Sequence, residues 1–135
     1  MDHYAITSGE KSLEFLCTRR DAQGDADVLA VTFADIGLSA SVVVESTEMG
    51  FEDLAEFFSE MRYSWAGWTG DVVYESFDHT LVLSAHHDGA IQLSVDLVPR
   101  DAVEWHAHGE LTLEPSELAA IVAGVDAVVG ARLSA

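Results

Sequence analysis

Apolar residues at every second position, interrupted twice by helical stripes, are the feature that most constrains this chain. Leu13, Phe15 and Cys17 are spaced two apart, which puts them on one side of an extended strand. The same period runs through Leu29, Val31 and Phe33, and again through Leu38, Ala40, Val42 and Val44. These runs predict strands over about Ser12–Arg19, Val28–Ala34 and Leu38–Glu45. Four more follow, over about Asp71–Phe77, Thr80–His87, Ala90–Val98 and Val103–Leu113. The links between them are short and turn-prone. They are the acidic loop Asp21–Asp27, then Asp35-Ile36-Gly37, Asp78-His79, Asp88-Gly89 and Pro99-Arg100-Asp101. Asp-Gly is the strongest short hairpin signal among them.

Between the third and fourth runs the period changes from two to about 3.6. Phe51, Leu54, Phe57, Phe58, Met61 and Trp65 fall on one stripe of a helix over about Phe51–Ser64. Glu52 and Asp53 sit in its first turn, where the helix dipole favours acids. A second helix begins at Pro115, a favoured first position. Its stripe is Leu118, Ile121, Val122, Val125, Val128 and Val129. The order β-β-β-α-β-β-β-β-α, joined by short turns, predicts an α+β fold. The expected form is a twisted antiparallel sheet of about seven strands with two helices on one face. The chain has 135 residues, 49% of them hydrophobic. That is one domain, 1–135, with enough apolar material for a core.

Charge narrows the function classes. There are 24 Asp and Glu against 6 Lys and Arg, a net charge of −18. Six cations in this surplus of acid cannot build a phosphate-gripping patch, so nucleic acid is excluded as a partner. An anionic membrane surface is disfavoured for the same reason. No apolar run approaches the roughly 20 residues of a membrane span. Met1-Asp2-His3-Tyr4 has neither the basic nor the apolar part of a signal peptide. A single cysteine, Cys17, cannot form an internal disulfide, and it reads as a small core residue. A cytoplasmic location is expected. The acids are densest at Glu52, Asp53, Glu56 and Glu60, along the exposed side of the first helix beside Arg62. This strip is the candidate docking face for a basic protein partner. The plainer reading is a solvated helix face.

The segment Trp65-Ala66-Gly67-Trp68-Thr69-Gly70 joins the first helix to the fourth strand. Gly67 and Gly70 permit a tight reversal, and Trp65 and Trp68 are expected to seal the helix end against the sheet. Glu75 is expected to act as a polar anchor there, bonding a backbone amide or an indole N–H. This junction carries a family resemblance. The run Gly50 to Leu97 resembles an uncharacterised family of small bacterial domains, domain of unknown function 6228. The shared pattern is an acidic amphipathic helix, then a Gly-Trp-x-Gly turn, here Gly67-Trp68-Thr69-Gly70. An aromatic-Glu-Ser element follows, here Tyr74-Glu75-Ser76, then alternating Leu and Ser, then a Gly-started strand, here Gly89 to Leu97. The family pattern often has Trp where this chain has Tyr74. The resemblance implies the fold and brings no activity and no catalytic residue.

The remaining chemistry is sparse. His106 and His108 are two apart on the last strand and so share a face. With Val103, Trp105 and Ala107 turned toward the helices, both histidines face outward, joined by His86, Asp96 and Glu104. Two histidines at this spacing plus a third group are compatible with zinc. The HExxH spacing and any Cys pair are absent, so no metal and no cofactor is expected. There is no Gly-x-Ser-x-Gly elbow and no Gly-rich phosphate loop. Glu75 and Asp78 are a candidate carboxylate pair, although 24 acids make chance proximity common. Two classes of function remain. One is a non-catalytic acidic interaction domain, of the immunity or inhibitor type, that binds a basic partner. The alternative is a small-ligand-binding or enzymatic domain using the polar sheet face or the Trp65/Trp68 junction. Leu16, Val43 and Val98 are expected to point outward, which leaves monomer and homodimer both open.

Overall fold

Each alternating run folds as a strand, and an eighth strand precedes them. The computed structural model describes residues 2–46, 50–100 and 105–130. Its elements are β1 (His3–Ser8), β2 (Lys11–Arg20), β3 (Ala26–Asp35), β4 (Leu38–Glu45), α1 (Glu52–Tyr63), β5 (Asp71–Glu75), β6 (Leu81–His87), β7 (Ile91–Leu97), β8 (Ala107–Leu113), a 3-10 turn (Pro115–Glu117) and α2 (Leu118–Val129). β1 is the strand that the pattern missed. Ile6 is its one fully buried residue, so no apolar alternation announces it.

The class is α+β, but the strands do not form one sheet. They form two four-stranded antiparallel sheets, ordered β1-β2-β3-β4 and β5-β6-β7-β8. This corrects the expected single seven-stranded sheet. The reason lies in the connections. Every link within each group of four is short enough for neighbouring strands to pair directly. The longer excursion through α1 separates the two groups, and after it the chain starts a new meander. α1 packs on β5, α2 packs on β1 and β2, and the helices pack on each other. α1 also reaches β2, where Phe58 meets Phe15.

A single core joins all these parts. In the first sheet the register stacks Leu13 beside Phe33 and Phe15 beside Val31. In the second it stacks Leu83 beside Val95 and Leu93 beside Leu111. The six stripe residues of α2 are all buried. Cys17 is half-buried against this core. Two close approaches hold the layers together. A Cβ at Gly109 of β8 would lie 2.1 Å from the ring of Phe33 on β3, and one at Gly124 of α2 would lie 2.3 Å from the ring of Tyr4 on β1. Each glycine is there because the facing ring occupies its side-chain space. No helix among the described residues is long and apolar enough to cross a membrane.

A polar junction ties the end of β4 to the β5–β6 turn. Asp78 accepts bonds from the hydroxyls of Ser76 and Thr80, both at 2.8 Å. It also accepts one from the Glu45 N–H at 3.3 Å. Arg100 donates to Asp78 and to Glu45, both at 2.7 Å. Burial pushes the Asp78 carboxyl up, but the bonds from Arg100, Thr80, Ser76 and the Glu45 N–H outweigh it and hold it at about 2. The Asp78 side chain is only 9% exposed.

Two outcomes follow from this packing. Gly109→Ala should destabilise the fold by about 1–3 kcal/mol through overpacking against Phe33, measured by urea denaturation. Asp78 has a lowered folded pKa, so its stabilisation is present above the unfolded value near 3.8 and is lost as pH falls toward about 2. The shift corresponds to about 2 kcal/mol. Asp78→Asn should therefore differ from wild type most at neutral pH, and the difference should shrink between pH 4 and pH 2.

Candidate functional site

α1 is amphipathic, and its buried side fixes where its acidic side must lie. Leu54, Ala55, Phe57, Phe58 and Met61 are buried. Phe58 meets Phe15 of β2 edge-on, with ring centroids 6.2 Å apart. Phe57 meets Phe58 edge-on at 5.0 Å and tilts against Tyr74 of β5 at 6.3 Å. These contacts hold α1 alongside β5, which is the edge strand of its sheet.

A groove runs between the two elements. One end is a cavity of about 410 Å³ lined by Glu56, Ser59, Glu60, Tyr63, Ser64, Trp68 and Val72. The other is a cavity of about 320 Å³ lined by Asp53, Glu56, Phe57, Glu60, Val72, Val73, Tyr74 and Glu75. Glu56, Glu60 and Val72 border both, so the two cavities adjoin. Four carboxylates edge this groove, and none of its lining residues is Lys or Arg. Three acids of the predicted strip, Asp53, Glu56 and Glu60, thus share one site with Trp68 of the junction and with Glu75. Glu52 lies in the first turn of α1 outside this lining.

The junction itself departs from expectation in two respects. Trp65 is 62% exposed and seals nothing. The helix ends at Tyr63, and the Ser64 N–H bonds back to the Glu60 carbonyl. The Gly67 N–H then bonds to the Ser64 carbonyl, so the chain has left the helical stripe before it reaches Trp65. Gly67 and Gly70 have φ of +143° and +78°, as the reversal requires. Trp68 alone packs on the core. Its indole N–H donates to the Ala85 carbonyl at 3.3 Å. Glu75 is therefore not the indole's partner; it pairs with His79 across the turn.

His87, which strand alternation places facing in or at the turn, completes the junction. Its ring lies edge-on to Trp68 at 5.0 Å, and its Nε2 is 3.0 Å from the Trp65 carbonyl oxygen. Strand parity turns His87 inward with Ala85, and its ring partner could not be read from the spacing.

Glu75 and Asp78 do not form a carboxylate pair. Glu75 lies outside on β5 with His79, while Asp78 is held by Ser76, Thr80 and Arg100. On the outer face of the second sheet, His106 Nε2 and His108 Nδ1 both lie 2.9 Å from Asp96 Oδ1. Burial raises the Asp96 carboxyl, but the bonds to His108 and His106 prevail and hold it below its ordinary value. His86 does not join them. It lies 3.2 Å from Asp71 and stands opposite Gln92, four residues from Asp96 and about 13 Å along the strand. Among the described residues no group of three His, Cys, Asp or Glu side chains is arranged to hold a metal ion.

Trp105 is 41% exposed instead of facing the helices, because β8 begins only at Ala107 and its alternation does not reach back to Trp105. With His106 and His108 it borders a cavity of about 490 Å³ beside Leu38–Ser41 of β4. Val103 and Glu104 lie outside the described residues.

The two tryptophans of the junction should separate cleanly in unfolding experiments. Trp68→Ala is expected to cost about 2–3 kcal/mol, at the low end for a buried aromatic truncation because Trp68 is only half-buried. Trp65→Ala should change stability by no more than about 0.5 kcal/mol. Urea denaturation followed by circular dichroism measures both.

No curated protein and no solved structure matches this chain. A family model for a family of unknown function matches residues 6–132. That span reaches well beyond Gly50–Leu97 on both sides and takes in part of every strand and both helices. The chain therefore belongs to the family of unknown function DUF6228.

Proposed function

We propose that this domain is a non-catalytic acidic docking module, of the immunity or inhibitor type, that holds a basic protein segment in the groove between α1 and β5. The observation that carries this reading is the groove's lining: Asp53, Glu56, Glu60 and Glu75 at its borders, with Phe57, Trp68, Val72 and Tyr74 between them. Lys and Arg suit such a surface. Their aliphatic stems lie on apolar floor while their charged heads reach carboxylates. A guanidinium also stacks on an indole or phenol face, and Trp68 and Tyr63 both line one end. Four consecutive β5 residues, Val72 to Glu75, line the other end. An edge strand offers unpaired main-chain groups to an extended segment. The net charge of −18 would speed encounter with a basic protein and make association weaken with salt.

The test is a titration of an extended peptide of alternating Lys, Arg and Gly against two variants of equal charge change. One is Glu56→Gln/Glu60→Gln in the groove. The other is Glu10→Gln/Glu110→Gln, at exposed sites away from it. At low salt the groove pair should weaken binding about tenfold, or about 1.4 kcal/mol, and the remote pair less than about twofold. Equal losses in both variants would mean diffuse attraction by a polyanion and would end the docking reading.

A second reading keeps the same site but a smaller occupant. The cavity beside Trp68 holds about 410 Å³, above the roughly 300 Å³ at which ligand sites begin. A small organic cation would fit its Glu56, Glu60 and Trp68 lining. Free arginine amide shifting the Trp68 indole N–H resonance at submillimolar concentration would favour this occupant over a peptide.

A further inference from the structure

We infer that the outward face of the first sheet is the surface on which two copies of this chain pack together. The register aligns three successive rows of four outward side chains across β1–β4. One row is His3, Leu16, Ala30 and Val43, and the next contains Glu14, Thr32 and Ser41. Every other position in the three rows is Ala, Ser or Thr. Glu14 is therefore the one carboxylate in these rows, on a chain that carries 24 acids. The outward face of the second sheet, by contrast, carries Asp96 and Glu110 among its histidines.

Three properties fit a second copy as the occupant. The first is charge. A chain of net −18 can approach another copy closely only where its acids are absent. The second is shape. Ala and Ser are poor strand formers, yet they dominate this face, and their small side chains let a second backbone come close. Leu16 is 39% exposed and Val43 60%, so the row they share offers apolar area to bury. The hydroxyls of Thr32 and Ser41 bond to each other across the strands, which leaves one O–H of the pair to find an acceptor when covered. The third is area. Four strands at about 4.8 Å spacing, over the roughly 20 Å that the three rows span, present roughly 380 Å². Two copies would bury about 770 Å², the size of a weak, transient contact. A two-fold arrangement uses the same face on both sides and sets Glu14 near its own counterpart. The dimer is accordingly concentration-dependent, and self-repulsion opposes it.

Salt dependence separates this surface from the groove. Screening shortens the reach of charge from about 10 Å at 0.1 M salt to about 3 Å at 1 M. Self-association should therefore strengthen with salt, while docking of a basic segment weakens. Sedimentation velocity on the full chain, from micromolar to submillimolar concentration at 0.1 M and 1 M NaCl, reads it. The expected result is a dimer fraction that rises several-fold with salt. Val43→Glu, at an exposed site that tolerates a carboxylate, should be monomeric throughout with an unchanged circular dichroism spectrum. Glu14→Gln should dimerise at lower salt than wild type. Gln92→Glu, on the outward face of the other sheet, should match wild type. A wild-type chain that stays monomeric at the highest concentration and salt overturns the inference. So does a Val43→Glu dimer as strong as wild type. Neither result touches the groove, whose own titration is read separately.

Discussion

A line of aromatic contacts, Phe15 to Phe58 to Phe57 to Tyr74, connects the two sheets through the first helix. Phe15 belongs to β2 and Tyr74 to β5, while Phe57 and Phe58 are neighbours on α1. Rings at these separations and angles favour edge-on packing because the positive ring edge meets the negative face. The consequence is positional. With both phenylalanines turned into the core, the acids of α1 have one place to go, along the outer side next to β5. The groove exists because the helix is held beside an edge strand and not across the middle of a sheet.

The same geometry divides the surface electrostatically. Acid gathers around the α1–β5 groove and at the Asp78–Arg100–Glu45 junction, where a cation compensates it. Over three rows of the first sheet's outward face, Glu14 is the one carboxylate. As proposed docking surfaces, a carboxylate-lined concavity and a sheet face with few charges would respond to ionic strength in opposite directions. A uniform acidic coat would only keep the chain soluble. An uneven one distinguishes two surfaces on one small domain.

Much of this was legible before any coordinates. The run Leu38–Glu45 forms a strand with the expected limits, and the stripe Leu118 to Val129 is buried as its spacing implies. Regular periods survive because side-chain direction follows backbone geometry directly. The errors fall where the period stops. Trp65 continues the helical spacing on paper, but the helix has already ended. Trp105 continues the strand alternation, but β8 begins two residues later. β1 was hidden because one buried isoleucine is no pattern. Glu75 is expected to bond a backbone amide or an indole N–H, but the Trp68 indole bonds a main-chain carbonyl on β6 and Glu75 pairs with His79.

What the sequence determined by itself is local: which stretches are strands or helices, which of their faces are apolar, and that the chain is too acidic to grip phosphate. These follow from periodicity and from counting charges. Only the tertiary structure decided that eight strands divide into two sheets and that α1 bridges them. It also brought Asp53, Glu56, Glu60, Trp68 and Glu75 to the border of one groove. The physical reason is that pairing partners and packing neighbours are chosen by burial of the whole apolar surface at once. No spacing along the chain records which strand will lie beside which helix.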